Sequence, residues 1–126
     1  MVRPSAKELT ERELEVMHVF WSGGQSTVTE IRDRLAAAGR DLAYTTVATL
    51  VRILAEKGFL EQTNTERPFQ FRPVRSYEEV SRSILGDLVQ RLFHGSREHL
   101  LVRLLERKLS AKERAVLEAI LREKKA

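Results

Sequence analysis

The chain has 126 residues, of which 42% are hydrophobic and 32% carry a charged side chain, a balance typical of a folded globular protein of about one domain. Because there is no cysteine, disulfides, thiolate zinc sites and cysteine nucleophiles are excluded. The formal net charge of +4 is compatible with an anionic partner but does not identify one, since a surplus of this size is common on soluble proteins.

The first residues, MVRPSAKELTERE, contain no apolar stretch of the kind found in a signal peptide. No later segment approaches the length and hydrophobicity of a membrane span. We therefore expect a cytoplasmic protein without a membrane partner.

Four helix starts are predicted by a Ser or Thr followed three residues later by Glu, the spacing at which the two side chains cap each other's backbone amides. Each pair precedes apolar residues at helical spacing. The pairs are Thr10/Glu13, Thr27/Glu30, Ser76/Glu79 and Ser110/Glu113.

A further helix is predicted from about residue 44 to 57 by the apolar positions Val47, Leu50, Val51 and Leu54, with Gly58 ending it. Beyond Gly58 the helical period changes, and residues 59–62 and 69–72 are predicted as two short strands joined by a segment of turn-forming residues. Two helices, a third helix and a hairpin in this order predict a winged helix-turn-helix, with the hairpin as its wing.

The third helix has a polar face that predicts contact with DNA. Thr45, Ala48, Thr49 and Arg52 group opposite the apolar stripe, and no Asp or Glu occurs between residues 44 and 55. Thr and Ala methyl groups suit thymine methyls, and Arg52 suits a guanine or a phosphate. The alternative is an ordinary solvated helix face.

The predicted wing adds two basic side chains. Arg67 lies at the turn and Arg72 on the outgoing strand, where they would contact the sugar-phosphate backbone, while Phe69 and Phe71 alternate inward. A surface hairpin with incidental arginines is the alternative. Phe20 and Trp21 are interpreted as core residues and not as part of a ligand site.

Catalysis and metal binding have no support in the sequence. His18, His94 and His99 are not spaced as a ligand set or paired with a suitable carboxylate. We therefore predict no enzymatic activity, no cofactor and no metal.

The region after Arg75 contains three amphipathic segments, roughly 77–93, 97–108 and 111–124, with 17 Val, Ile, Leu and Phe residues in 51 positions. So small a unit rarely buries that much apolar surface alone. We predict a DNA-binding domain at 1–75 and a helical dimerisation region at 76–126; packing of the segments on the head is the alternative. The predicted interface comprises Ile84, Leu88, Leu92, Leu101, Leu104, Leu105, Leu117, Ile120 and Leu121.

Several stretches resemble the penicillinase repressor family (BlaI/MecI-type regulators). They are LTERELEVM at 9–17, FW at 20–21, AYTTV at 43–47, LAEKG at 54–58, LFHGS at 92–96 and LSAKE at 109–113. The resemblance covers nearly the whole chain, and its most specific part runs from YTTV to KG.

The resemblance implies a dimeric bacterial repressor whose residues Tyr44, Thr45, Thr46 and Ala48 face the operator. Copper-responsive relatives carry a cysteine motif that this chain lacks, which argues against metal sensing. A sensor protease is a candidate partner: relatives induced in this way are cut at an Asn-Phe bond, where this chain has Arg103-Leu104.

The sequence therefore predicts a mainly α fold with a small β-hairpin wing, acting as a homodimeric transcriptional repressor. Its partner would be palindromic double-stranded operator DNA, with the third helix in the major groove and the wing on the backbone. The alternative function is a winged-helix module that binds another protein.

Overall fold

The computed structural model describes residues 9–125, which form six helices and three short strands. The chain divides into two compact units after Asp87. We call residues 9–87 the head and residues 88–125 the tail, and describe each by itself. In chain order the elements are α1 (Glu11–Gly23), β1 (Ser26–Thr27), α2 (Val28–Ala37), α3 (Tyr44–Glu56), β2 (Leu60–Gln62), β3 (Gln70–Pro73), α4 (Tyr77–Leu92), α5 (Arg97–Leu104) and α6 (Ala111–Lys125).

The predicted helix starts are confirmed by their hydrogen bonds. At α1 the backbone N–H of Glu13 donates to Thr10 Oγ1 at 3.2 Å, and the backbone N–H of Thr10 donates to the Glu13 carboxylate at 2.8 Å. Thr27 and Ser110 form the same reciprocal pairs at α2 and α6. Ser76 Oγ accepts from the amide three residues later at 3.0 Å. These bonds satisfy amides that the first turn of a helix leaves without partners.

The predicted end of α3 at Gly58 is confirmed. Gly58 has a φ of +84°, a conformation that other residues adopt only with strain. This turn lets the N–H of Phe59 donate to Leu54 O at 2.9 Å and that of Gly58 to Ala55 O at 3.1 Å, the two bonds of a Schellman motif. The chain thereby reverses into β2 with Phe59 fully buried.

The three strands form one antiparallel sheet in the order β1-β3-β2. Strands β2 and β3 are the predicted hairpin, with Glu61 opposite Arg72. Strand β1 was not predicted; in it Ser26 lies opposite Phe71. The mainly helical architecture with this small sheet confirms the predicted fold class.

The head has an apolar core to which α1, α2, α3, the sheet and the start of α4 all contribute. Phe20 is fully buried, and the half-buried Trp21 packs against the core while its Nε1 donates to Arg75 O at 2.9 Å. Both residues are thus core residues, as predicted. The core comprises Leu9, Val16, Met17, Phe20, Ile31, Leu35, Val47, Val51, Leu54, Phe59, Leu60, Phe71 and Val80.

One carboxylate is buried at the edge of this core. Glu13 is 3% exposed and accepts from Lys57 Nζ at 3.0 and 3.2 Å as well as from the Thr10 amide. Burial raises the pKa of Glu13. The Thr10 amide and the Lys57 ammonium together lower it by more than burial raises it, so the pKa of Glu13 lies below its ordinary value.

The tail differs from the head because its helices α5 and α6 contain no buried residue. The helix predicted at 97–108 ends at Leu104, where the N–H of Leu105 donates to Leu101 O at 3.0 Å. Within residues 9–125, no helix combines the length and hydrophobicity that crossing a bilayer requires.

Candidate nucleic-acid interface

Helix α3 presents the predicted residues on its outer side. Its inner side is fixed by the buried Val47, Val51 and Leu54. At 100° per residue, these three positions turn the opposite face away from the core. On that face Thr45, Thr49 and Arg52 are exposed. Tyr44 is also exposed but lies beside the stripe, as do the half-buried Thr46 and Ala48.

The amino terminus of α3 differs from those of α1 and α2. Its N-cap residue is Ala43, which makes no side-chain cap, and its first turn contains no acidic residue. The first amides of α3 are therefore not capped by a side chain. Such an end, carrying the positive pole of the helix dipole, suits an anionic group such as a phosphate.

The two threonine hydroxyls on this face are not equivalent. Thr49 Oγ1 donates to the backbone carbonyl of Thr45 at 2.9 Å, so its hydrogen is directed to its own helix and its lone pairs remain as acceptors. Among the described residues, the Thr45 hydroxyl has no partner. Thr45 is therefore the hydroxyl that is free both to donate and to accept at a base edge.

Two of the predicted arginines are held in exposed ion pairs. Arg52 Nη1 lies 2.9 Å from Glu56 Oε1, and Arg72 Nε lies 2.6 Å from Glu61 Oε1 across the hairpin. Exposed pairs of this kind contribute about 0–1 kcal/mol. Exchanging either carboxylate for a phosphate would therefore cost little.

The loop of the wing, residues 63–69, is organised by one side chain. Asn64 Nδ2 donates to Glu66 O at 3.0 Å and to Pro68 O at 3.1 Å, while Asn64 Oδ1 accepts from the N–H of Gln70 at 2.8 Å. These bonds enclose Arg67, whose guanidinium lies 5.1 Å from the centre of the Phe69 ring. The loop thus presents an exposed cation on a braced backbone.

Between α3 and the wing lies an open groove of about 970 Å³, which we call the wing groove. Val51 and Phe71, both core residues, line it together with the half-buried Ala55 and Phe69. Its polar lining includes Tyr44, Arg52, Glu56, Gln62 and Arg67. The wing groove therefore joins the predicted helix face to the predicted wing contacts.

The residues predicted for the dimer interface fall into two groups. Ile84 packs against the head core, and Leu117 is half-buried within the tail. The other side chains are between 40% and 63% exposed, and they are Leu88, Leu92, Leu101, Leu104, Leu105, Ile120 and Leu121.

Comparison with known proteins connects these features to a family. The penicillinase repressor model matches residues 9–123. The transcriptional regulator BlaI of Mycobacterium tuberculosis is 37% identical over 101 residues, which cover 79% of this chain and 72% of BlaI. The methicillin resistance regulatory protein MecI of Mammaliicoccus sciuri is 24% identical over 118 residues, covering 93% and 95%.

The fold is also similar to a solved structure. The solution structure of the DNA-binding domain of the repressor BlaI matches with a TM-score of 0.53 and 23% identity, over 62% of this chain and 93% of that domain. At this identity the likeness concerns the fold alone.

Proposed function

We propose a mechanism for this chain from the premise that it belongs to the penicillinase repressor family and is a transcriptional repressor, not an enzyme. Two heads of a homodimer hold a palindromic operator in the cytoplasm. In each head α3 enters the major groove and the wing lies along the sugar-phosphate backbone. The residues proposed to contact DNA are Tyr44, Thr45, Thr46, Ala48, Thr49, Arg52, Arg67 and Arg72.

The observation that carries this proposal is the outer face of α3. It is exposed, free of acid from residue 44 to 55, and begins at a helix end without a capping side chain. Thr45 and Thr49 lie in its first turns, where a helix entering the major groove meets the bases. Arg52 and the two wing arginines, Arg67 and Arg72, are long and exposed side chains, which suit contacts with phosphates.

Residues 1–75 are proposed as the DNA-binding domain and 76–126 as the dimerisation region, with the tail supplying most of the dimer interface. Large apolar side chains on α5 and α6 are exposed within one chain, including Leu101, Leu104 and Ile120. Exposed apolar surface of this kind favours association. A second copy fits best because a two-fold protein matches a palindromic site.

The decisive experiment is binding of the full chain to duplex DNA selected from genomic fragments that the protein retains. We expect a palindrome whose half-sites lie about 34–36 Å apart, one turn of B-DNA. If the dimer contacts six to ten phosphates, affinity should fall by about 10³ to 10⁵ between about 50 and 200 mM salt. A shallow salt dependence, or no retained fragment, would contradict the proposal and favour a protein partner.

Release from the operator is proposed to involve the tail, with a sensor protease as the candidate partner. The peptide bond between Arg103 and Leu104 lies at the end of α5, and both side chains are exposed. Cutting there would divide the apolar surface of the tail without touching α3. Mass spectrometry of the protein from induced cells tests this, because promoters released while the chain stays at full length would exclude cleavage as the inducing event.

A further inference from the structure

We propose that the wing groove binds a small molecule with a narrow apolar body and one anionic group, and that this molecule competes with DNA for the head. Binding to the groove is argued from the head alone. The competition rests on the proposed function, because it requires that the same face contacts an operator.

The size and lining of the wing groove suit such a ligand. Its volume of about 970 Å³ lies within the range of small-molecule sites, about 300–1,000 Å³. Val51 is 1% and Phe71 9% exposed, so their side chains belong to the core even though they line an open groove. Beside them lies Ala55, whose short side chain leaves space against α3. An apolar body in this space would remove water from carbon atoms, which a hydrated phosphate cannot do.

The charges at the groove favour an anionic group beside Arg67. Arg52 already has a carboxylate partner, Glu56, at 2.9 Å. Arg67 has no carboxylate partner among the described residues; its guanidinium lies over the Phe69 ring at 5.1 Å. A guanidinium that stacks over a ring keeps the N–H groups at its edge available for hydrogen bonds. A carboxylate or sulfonate on the ligand would therefore pair with Arg67 while its apolar body lies along Val51 and Phe71.

Occupation of the wing groove and binding to DNA require the same side chains. Tyr44, Ala48, Arg52 and Arg67 all line the groove, and all are proposed DNA contacts. A ligand paired with Arg67 removes a phosphate contact and fills the space between α3 and the wing. Its effect on DNA would be reversible on dilution, which distinguishes it from cleavage of the tail.

The test uses 2-naphthoate as the probe, an apolar ring system with one carboxylate, and the full chain without DNA. We expect saturable binding, with shifts of backbone amide NMR signals confined to α3, the start of α2 and the wing. Ala55→Leu fills the groove and Arg67→Gln removes the cation, so each should weaken binding about tenfold. The control Ala36→Leu, at an exposed position of α2 outside the groove, should bind normally. The uncharged probe 2-naphthamide should bind about tenfold more weakly than 2-naphthoate.

The outcomes separate the two proposals. No saturable binding, shifts confined to the tail, or equal affinity for all three variants would overturn the ligand site even if the chain binds DNA. If Ala55→Leu fails to fold, Arg67→Gln decides, because Arg67 is exposed and is not one of the buried core residues. Displacement of a bound operator by 2-naphthoate, resisted by Ala55→Leu, supports the competition. Naphthoate binding by a chain that retains no DNA supports the site and contradicts the proposed function alone.

Discussion

The head and the tail of this chain use the same kinds of apolar side chain in opposite ways. In the head, thirteen hydrophobic residues are buried in one cluster to which helices and sheet contribute. In the tail, α5 and α6 bury none, while leucines at 101, 104, 105 and 121 are about half exposed or more. Local helix signals are equally good in both, since Thr10 and Ser110 form matching capping boxes.

This difference shows that forming helices and strands is one property of a chain and enclosing a buried core is another. Caps and apolar spacing specify helices one at a time, whereas burial requires enough elements to enclose a core. The head has enough elements in a single chain. The tail has helices with apolar faces but encloses no core, so its stability is expected to depend on the second copy proposed above.

The largest expected effect comes from a charge on an exposed apolar position of the tail. Ile120→Asp in the full chain would bury an unpaired carboxylate in the proposed interface. We expect a monomer by light scattering and a loss of operator affinity of about 10² to 10⁴, because the two heads no longer bind as a linked pair.

The matched control for this variant is Ala115→Asp, which introduces the same carboxylate on the same helix. Ala115 is exposed and lies about 140° around α6 from Ile120. It should remain dimeric and bind DNA normally. A dimer that survives Ile120→Asp would remove the proposed explanation for the exposed leucines of the tail.

The second effect concerns the stability that the head provides for itself. Because the folded pKa of Glu13 is lowered, its contribution to stability is present above the unfolded pKa and is lost as pH falls through the folded pKa. We expect Glu13→Gln to reduce the free energy of unfolding by about 1–3 kcal/mol at pH 7. The difference in free energy of unfolding between Glu13→Gln and the unaltered chain should become smaller as pH falls below about 5.

Denaturant unfolding at fixed protein concentration measures this effect. Glu11→Gln is the control, since Glu11 lies in the same first turn but is exposed, and it should change stability little. Equal effects of the two substitutions at every pH would contradict the role assigned to the buried Glu13 carboxylate.

The third effect separates specificity from general affinity within the head. Arg67→Ala should weaken binding to all sequences alike and reduce the salt dependence by about one phosphate. Thr45→Ala should instead reduce the preference for one base pair by about 1 kcal/mol, roughly fivefold. Arg40→Ala, which removes an ion pair with Glu15 outside the proposed interface, serves as the control. Loss of base preference in Arg67→Ala as well would contradict the division between bases and backbone.

Much of the head was predictable because its signals are local. A capping box or an apolar repeat is contained within a few residues, and each of the predicted head helices is present. Strand β1 was missed because two residues carry no period; Ser26 and Thr27 become a strand only by pairing with Phe71 and Gln70, over forty positions later.

The candidate site shows the same limit. The spacing of residues predicts the polar face of α3, but the ion pairs of Arg52 and Arg72 were not predicted. The Arg52–Glu56 pair has the common i, i+4 spacing of a helix and could have been found. The Arg72–Glu61 pair depends on strand register, and the wing groove depends on how α3 and the hairpin pack, which no single segment specifies.

The smallest expected effect tests whether Asn64 acts by positioning Arg67. Its three bonds to the backbone at Glu66, Pro68 and Gln70 brace the loop, and Asn64→Ala removes all of them without removing a core side chain. The loop would then have to be ordered when DNA binds, so we expect affinity to fall about two- to fourfold. Operator titrations of the single variants and of the double variant with Arg67→Ala measure the coupling. If Asn64 acts through Arg67, the double variant binds no more weakly than Arg67→Ala alone. Thr65→Ala, an exposed neighbour in the same loop, should bind as the unaltered chain does. Fully additive losses would instead assign Asn64 a DNA contact of its own.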